Sequence, residues 1–482
     1  MSQLRDFTPS GIWHYFSDIC QIPRPSKKEE KMIAYLIKFA ADKNLVVKQD
    51  KAGNVLILKP GTPGREKLAP VILQSHLDMV CEKNSDSKHD FLNDPIKAVI
   101  DGDWVKAEGT TLGADDGIGV AAQLAILASD KLEHGPLECL FTVDEETGLT
   151  GAFALEENFL SGNALINLDS EEEGEIFIGC AGGIDTVGSL NPEYEATPKA
   201  SFAFSISVKG LKGGHSGDDI NKGLGNAIKF LTRFVWEASQ KYQFRLSHIE
   251  GGNLRNAIAR EAVAGGVTPA KYKEEMRALF NCISADLEAE YGDIEPGMKF
   301  HLESDTVPDK VFSESFNKRL INTLYALPHG VISMSRQIEG LVETSTNLAS
   351  VKLVDNIISI STSQRSSLES ARDNIANMVK ATFDLGGASS RHSDGYPGWA
   401  PNRQSPLLEI AIDSYKKLYG NEPKVKAIHA GLECGLFLKK YPGLDMISIG
   451  PTIQGAHSPD ERLQIESVKK FWDYLLAILA AL

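Results

Sequence analysis

The hydrophobic pattern of the first third alternates between two periods. In KKEEKMIAYLIKFAADK, residues 27–43, apolar positions recur at helical spacing, and NVLILKPG then has the short apolar run of a strand. After Pro70, VILQSHLDMV predicts a buried strand that ends in polar groups. GADDGIGVAAQLAILAS predicts a helix whose first turn carries acids, while LECLFTVDEETG and ALINLDSEEEG are apolar strands that run out into carboxylates. The pattern is α/β, with mixed or mainly parallel strands.

From about residue 184 the texture changes. SFAFSISVKG, a helix near 219–238, EAVAGGVTP and a helix near 269–289 form a β-α-β-α set. MKFHLESD, SESFNKRLINTLYAL, ASVKLVDNIISISTSQ and LESARDNIANMVKATF form a comparable one, which suggests two similar halves. PGWAPNRQSP has the composition of a return linker. A helix near 405–419, strands in VKAIHA and LDMISIG, and a final helix then restore the opening texture. At 482 residues the chain exceeds one ordinary core. The simplest organisation is a catalytic domain made of residues 1–183 and 398–482, with a central mixed β-sheet flanked by helices, and an α+β domain inserted at 184–397.

Charge narrows the partners. A net charge of -15 lacks the basic footprint that nucleic acid or an anionic membrane surface demands. The opening MSQLRDFTPSGIWHYF has no signal-peptide pattern, and no apolar run is long enough to span a bilayer, so a cytoplasmic protein is expected. FWDYLLAILAAL reads as a core helix. Six scattered cysteines without a CxxC pair suit reduced thiols, not a disulfide framework or a thiolate zinc site.

Five segments place candidate ligands just past strand ends or at a helix start: His76 and Asp78 in SHLD, Asp115 and Asp116 in GADDG, Glu145 and Glu146 in DEETG, Asp169 in NLDSEEE, and His457 in GAHSPDE. Open α/β sheets bind ligands at the carboxyl ends of their strands. Imidazole and carboxylate donors without thiolates suit Zn, Mn or Co, and two histidines with three carboxylates suit two ions. A carboxylate between two ions offsets their repulsion, and Asp115, set between Gly113 and a helix, is the candidate. His76 with Asp169, and Glu146 with His457, then serve one ion each. Water between such ions deprotonates near neutral pH. Glu145 is placed to take that proton and pass it to a leaving amine, and Asp78 to hold the His76 imidazole. Taken singly these signals are weak. GADDGIG resembles a phosphate loop, although its acids would repel a pyrophosphate, and EEEGE near 171–175 reads as a solvated turn.

In this order, SHLDMV, TLGADDGIG, DEETGL, INLDSEE and GAHSPDE resemble the aminoacylase/carboxypeptidase-type dinuclear zinc peptidases along the whole chain. GCAGG, GGHSGDDI, GGNLRNAIAR, YPGW and HAGLECG are similar to that family's dipeptidases in particular. The resemblance implies His76, Asp115, Glu146, Asp169 and His457 as ligands, Glu145 as general base and Asp78 as the support of His76. It also implies a lid domain and a cis peptide after Asp115. His215 in GGHSG matches a histidine that polarises the scissile carbonyl, though a turn histidine among glycines reads the same way. Arg365 in STSQRSS sits where relatives bind the substrate carboxylate with an arginine, a task its forked donors suit. Asn256 either contacts that carboxylate or fixes a loop. His429 and Glu433 either line the pocket or form a buried pair, and His392 reads as a loop residue.

The expected activity is hydrolysis of unblocked dipeptides, including Xaa-His and carnosine-like ones, with Glu145 shuttling the proton. An N-acyl amino acid deacylase or a tripeptidase would need the same metal centre. A non-catalytic binding protein would lack a ligand or the base, and here all are present. A homodimer stays open. If the inserted halves are duplicates, the second stands in for a partner subunit, and His215 then acts within its own chain.

Overall fold

A computed structural model describes residues 2–482, with side chains from Leu4 onward. It divides into two compact units, one of Met1–Gly179, Trp399–Ala427 and Leu432–Leu482, the other of Cys180–Gly398 and Ile428–Gly431. The stretch Ile428–Gly431, inside HAGLECG and its preceding strand, groups with the second unit, which the hydrophobic pattern does not show.

The first unit is built on an eight-stranded sheet in the order Val46–Gln49, Val55–Lys59, Leu137–Thr142, Val71–His76, Ala164–Asn167, Asp445–Ser448, Glu175–Cys180, Lys424–Ile428. Its four middle strands, from Leu137–Thr142 to Asp445–Ser448, are parallel, and antiparallel strands flank them, so the sheet is mixed. VILQSH and LECLFT are buried at every position, the pattern of strands covered on both faces. Helix Ala114–Ala128 is buried along almost its whole length and is a core element. Helix Ile465–Ala481 turns Phe471, Leu475 and Ile478 inward. Among the described residues no helix is long and apolar enough to cross a membrane. Among the described residues no two cysteines form a disulfide.

The second unit carries a nine-stranded sheet whose main path is Lys299–Asp305, Ser201–Lys209, Ala262–Pro269, Arg245–Gly251, Val342–Val354, Ile357–Ser366, Gly182–Leu190, Ser389–His392. Its connectivity resolves into two β-α-β-β-α-β halves. One runs from Ser201–Lys209 through helices Ala227–Tyr242 and Lys273–Tyr291 to Lys299–Asp305. The other starts at Gly182–Leu190 and continues through Glu314–Ala326, Val342–Val354, Ile357–Ser366, Glu369–Leu385 and Ser389–His392. Read outward from the junction of Arg245–Gly251 with Val342–Val354, both halves have the same strand order. The MKFHLESD strand therefore closes the first half and does not open the second, whose first strand precedes the insertion of the other half. Sequence order conceals this because the duplicate lies between a strand and the helix that follows it.

The helix expected near 219–238 spans Ala227–Tyr242 instead. Residues 210–225 are rich in glycine and form turns, and the helix starts only where Asn226 accepts from Ile228 and Lys229 N–H groups at 3.0 and 3.2 Å. Asn226 also donates to Leu348 O at 2.8 Å, anchoring the helix to the sheet. His392 ends a strand and does not lie in a loop, its Nδ1 being 2.9 Å from Thr186 Oγ1. Asn226→Ala is expected to cost about 1–2 kcal/mol of stability in denaturant unfolding. A loss under about 0.3 kcal/mol would mean that the helix start is set by something else.

Candidate metal centre

Parallel strands that stop at one level deliver their next residues to one place. His76 ends Val71–His76, Glu145 and Glu146 follow Leu137–Thr142, and Asp169 follows Ala164–Asn167. Asp115 lies in the first turn of Ala114–Ala128, where it and Asp116 depart from helical angles and are joined by a cis peptide bond. His457 comes from the loop before Arg462–Gln464 and has a φ of 63°. Asp144 and Leu149, on either side of the two glutamates, are also left-handed, with φ of 50° and 55°. Such clustering of strained non-glycine residues is typical of functional sites.

The structure brings the five sequence-identified donors together. His76 Nε2 faces Asp115 Oδ1 at 3.1 Å and Asp169 Oδ1 at 3.4 Å. His457 Nε2 faces Asp115 Oδ2 at 3.1 Å and Glu146 Oε2 at 3.0 Å. Each imidazole nitrogen thus meets two carboxylates, and Asp115 offers one oxygen to each group. One N–H cannot satisfy two carboxylates fully, whereas a cation at each confluence satisfies all three ligands. Donor atoms of His76, Asp115 and Glu146 lie within 4.8 Å of one another, and among the described residues the buried Glu146 Oε1 has no hydrogen-bond partner. The chemistry of this donor set fits divalent cations.

Asp78 does more than face His76 Nδ1 at 3.4 Å. Its carboxylate accepts from the Glu145 and Glu146 N–H groups at 3.0 and 3.2 Å and from Ser26 Oγ at 2.7 Å. Burial would raise it, but His76 and these donors hold it down at about 2. It therefore fixes the turn that carries the two glutamates and places a negative charge beside the imidazole. Glu145 is pushed well up by burial and by Asp169, Glu146 and Glu433.

Two anchors escape the sequence reading. Glu461 accepts from the Leu112, Gly113 and Ala114 N–H groups at 2.7, 2.9 and 2.7 Å, tying the His457 loop to the backbone that presents Asp115. Arg24 donates to Leu77 O and Asp78 O at 2.9 and 2.6 Å and also to Gly113 O. Gly113 has a φ of 68°, and a Cβ there would lie 2.6 Å from the Arg24 guanidinium. Only GAHSPDE, with a second acid after its histidine, hints at Glu461, and nothing near Arg24 marks it. The EEEGE run is not a plain solvated turn. Burial and the neighbouring Asp115 and Asp169 push Glu171 up to about 8, and Glu175 is buried and paired with Lys426 at 2.5 Å. Nor are His429 and Glu433 a pair. His429 Nε2 lies 2.7 Å from Ser345 Oγ, while Glu433 accepts from Thr142 and Gln74.

The second unit groups other candidates. Arg365 is buried, and among the described residues it has no carboxylate partner. It donates to Tyr396 Oη at 3.0 Å and lies 3.5 Å from His215 Nε2, while its Nε has no hydrogen-bond partner among the described residues. His215 Nδ1 lies 3.1 Å from Asp218 Oδ2 and 3.3 Å from the Asp218 N–H. Asn256 is exposed, and its carbonyl accepts from Ser216 N–H at 2.8 Å.

An α/β unit with a carboxylate and imidazole centre at its strand ends is compatible with a metal-dependent hydrolase, and comparison with known proteins establishes that class. Residues 72–481 match the model of Peptidase family M20/M25/M40. The chain is 45% identical over 479 residues, covering 99% of both chains, to a protein named cytosol non-specific dipeptidase from Escherichia coli (strain K12). It is 44% identical, with a TM-score of 0.91 and coverage of 100% of this chain and 99% of the other, to the structure of an aminoacylhistidine dipeptidase from Vibrio alginolyticus. A tripeptidase from Staphylococcus aureus shares the fold at 16% identity, with a TM-score of 0.57 and 98% of each chain covered. The chain belongs to peptidase family M20/M25/M40.

The centre makes metal-free stability depend on pH. Burial and neighbouring carboxylates push Asp169 up to about 7, and Glu171 and Glu433 up to about 8. The unfolded chain releases these protons near pH ~4, so the folded form binds more protons between about 4 and 8, and stability falls as pH rises. His457 acts in the same sense. Asp115 and Glu146 hold it up to about 11, so its contribution is complete below 6.5 and is lost as pH climbs through about 11. The Tm of chelator-stripped protein is expected to fall from about pH 5 to about pH 8, and saturating zinc is expected to remove most of that slope. A flat or rising Tm contradicts this reading.

Proposed function

We propose that the chain hydrolyses unblocked dipeptides, Xaa-His and carnosine-like ones included, with two divalent cations held by His76, Asp115, Glu146, Asp169 and His457. The division of the Asp115 oxygens between two imidazole and carboxylate groups carries the metal assignment. Likeness over 99% of both chains to a protein named as a dipeptidase supports the substrate class. Imidazole and carboxylate donors favour zinc and also accept manganese or cobalt.

When bound, such cations lower the pKa of water and polarise a carbonyl. Glu145 is left outside both ligand groups, and Asp78 holds its backbone, so its carboxylate takes the proton of the attacking water and delivers it to the leaving amine. Asp78, 3.4 Å from the second nitrogen of His76, is assigned to support that imidazole. In the second unit His215 is assigned to the scissile carbonyl. Arg365, buried without an anion, is assigned to the substrate carboxylate, and Asn256 assists it.

The test is amino acid release from dipeptides, tripeptides and N-acetyl amino acids by chelator-stripped protein, before and after zinc is added. Zinc-restored cleavage of dipeptides is expected. Preference for acetylated substrates or tripeptides would replace the substrate assignment, and activity indifferent to chelation would overturn the mechanism. Glu145→Gln is expected to retain both cations and lose about 10²–10⁴-fold in kcat. Arg365→Ala is expected to lose about ten- to a hundredfold in kcat/KM, chiefly through KM.

A further inference from the structure

Strands buried on both faces are expected to be apolar throughout, yet the strands leading to the candidate ligands each carry a polar residue. Gln74, Asn167 and Ser448 lie opposite one another in register across Val71–His76, Ala164–Asn167 and Asp445–Ser448, and all three are fully buried. Gln74 and Asn167 each stand two residues before a candidate ligand, His76 and Asp169. Thr142, also fully buried, ends the strand that leads to Glu145 and Glu146.

Their hydrogen bonds all run one way. Thr142 Oγ1 and Gln74 Nε2 donate to Glu433 Oε2 at 2.7 and 2.6 Å. Asn167 Nδ2 donates to Gln74 Oε1 at 2.6 Å, and Ser448 Oγ donates to Asn167 Oδ1. With that proton committed, Ser170 is the donor in its 2.7 Å contact with Ser448. The chain ends on Glu433, which is 1% exposed and, among the described residues, forms no ion pair. Its other oxygen, Oε1, has no hydrogen-bond partner among the described residues. An oxygen that accepts two bonds at one end, Glu433 Oε2, dictates the orientation of every amide and hydroxyl behind it.

We propose that Glu433 is a positioning residue, which terminates this hydrogen-bond chain and so sets the relative heights of the strand ends that present His76, Asp169 and the Glu145–Glu146 turn. The inference rests on the metal reading of those residues. Glu433 touches neither cation nor substrate; it acts through Thr142, Gln74 and Asn167.

The experiment is zinc titration of chelator-stripped protein by calorimetry, together with steady-state kinetics on a dipeptide. Glu433→Gln keeps an oxygen for both donors and places its NH2 where Oε1 now lacks a partner. It is expected to bind zinc and turn over within about threefold of wild type. Glu433→Leu removes the acceptor and is expected to weaken zinc binding and lower kcat by about 10–100-fold, with KM little changed. Zinc affinity of Glu433→Leu equal to wild type overturns the proposal. So does a Glu433→Gln variant as impaired as Glu433→Leu with the loss in KM, since the charge would then act on substrate. If Glu433→Leu does not fold, Ser448→Ala decides: about threefold weaker zinc binding is expected, and unchanged affinity overturns the proposal. Wild-type protein that binds no zinc would instead refute the metal reading itself.

Discussion

The fold of the first unit is organised around a concentration of negative charge that it cannot tolerate alone. Asp115, Glu145, Glu146, Asp169 and Glu171 crowd at the strand ends with two imidazoles as their nearest cationic partners. Like charges at such distances in a shielded site repel strongly. Protons or metal cations can relieve that repulsion, and the sharing of each imidazole nitrogen between two carboxylates is the geometry of a cation site.

Holding such a centre open requires backbone anchors that do not themselves bind metal. Asp78 joins the His76 strand to the Glu145–Glu146 turn, Glu461 joins the His457 loop to the Asp115 turn, and Arg24 joins the two segments beside them. Each uses a charged group against backbone amides or carbonyls, the strong class of hydrogen bond. Left-handed residues at Asp144, Leu149 and His457 accept strain that these anchors offset. The polar row beneath, ending at Glu433, applies the same logic inside the sheet.

The sequence displays the donors more clearly than their supports. His76, Asp115, Glu146, Asp169 and His457 are visible because each follows an apolar strand or opens a helix, a position that periodicity marks. Arg24 and Glu461 are not, because their partners are backbone groups tens to hundreds of residues away, and backbone leaves no residue-specific signature. The buried face of Glu171 is hidden in a run of acids whose composition suggests solvent. In the second unit the alternation of strands and helices is legible. The nesting of one β-α-β-β-α-β half inside the other is not, since strand order depends on pairing rather than on local pattern. The helix expected near 219–238 starts later, at Ala227, because the capping side chain is Asn226.

Anomalous difference maps from zinc-loaded crystals, recorded on both sides of the zinc edge, test the central claim most directly. The account predicts two peaks about 3.5–4 Å apart, one beside His76 and Asp169, the other beside Glu146 and His457, with an oxygen of Asp115 on each. A single peak, or two peaks that do not share Asp115, would contradict it.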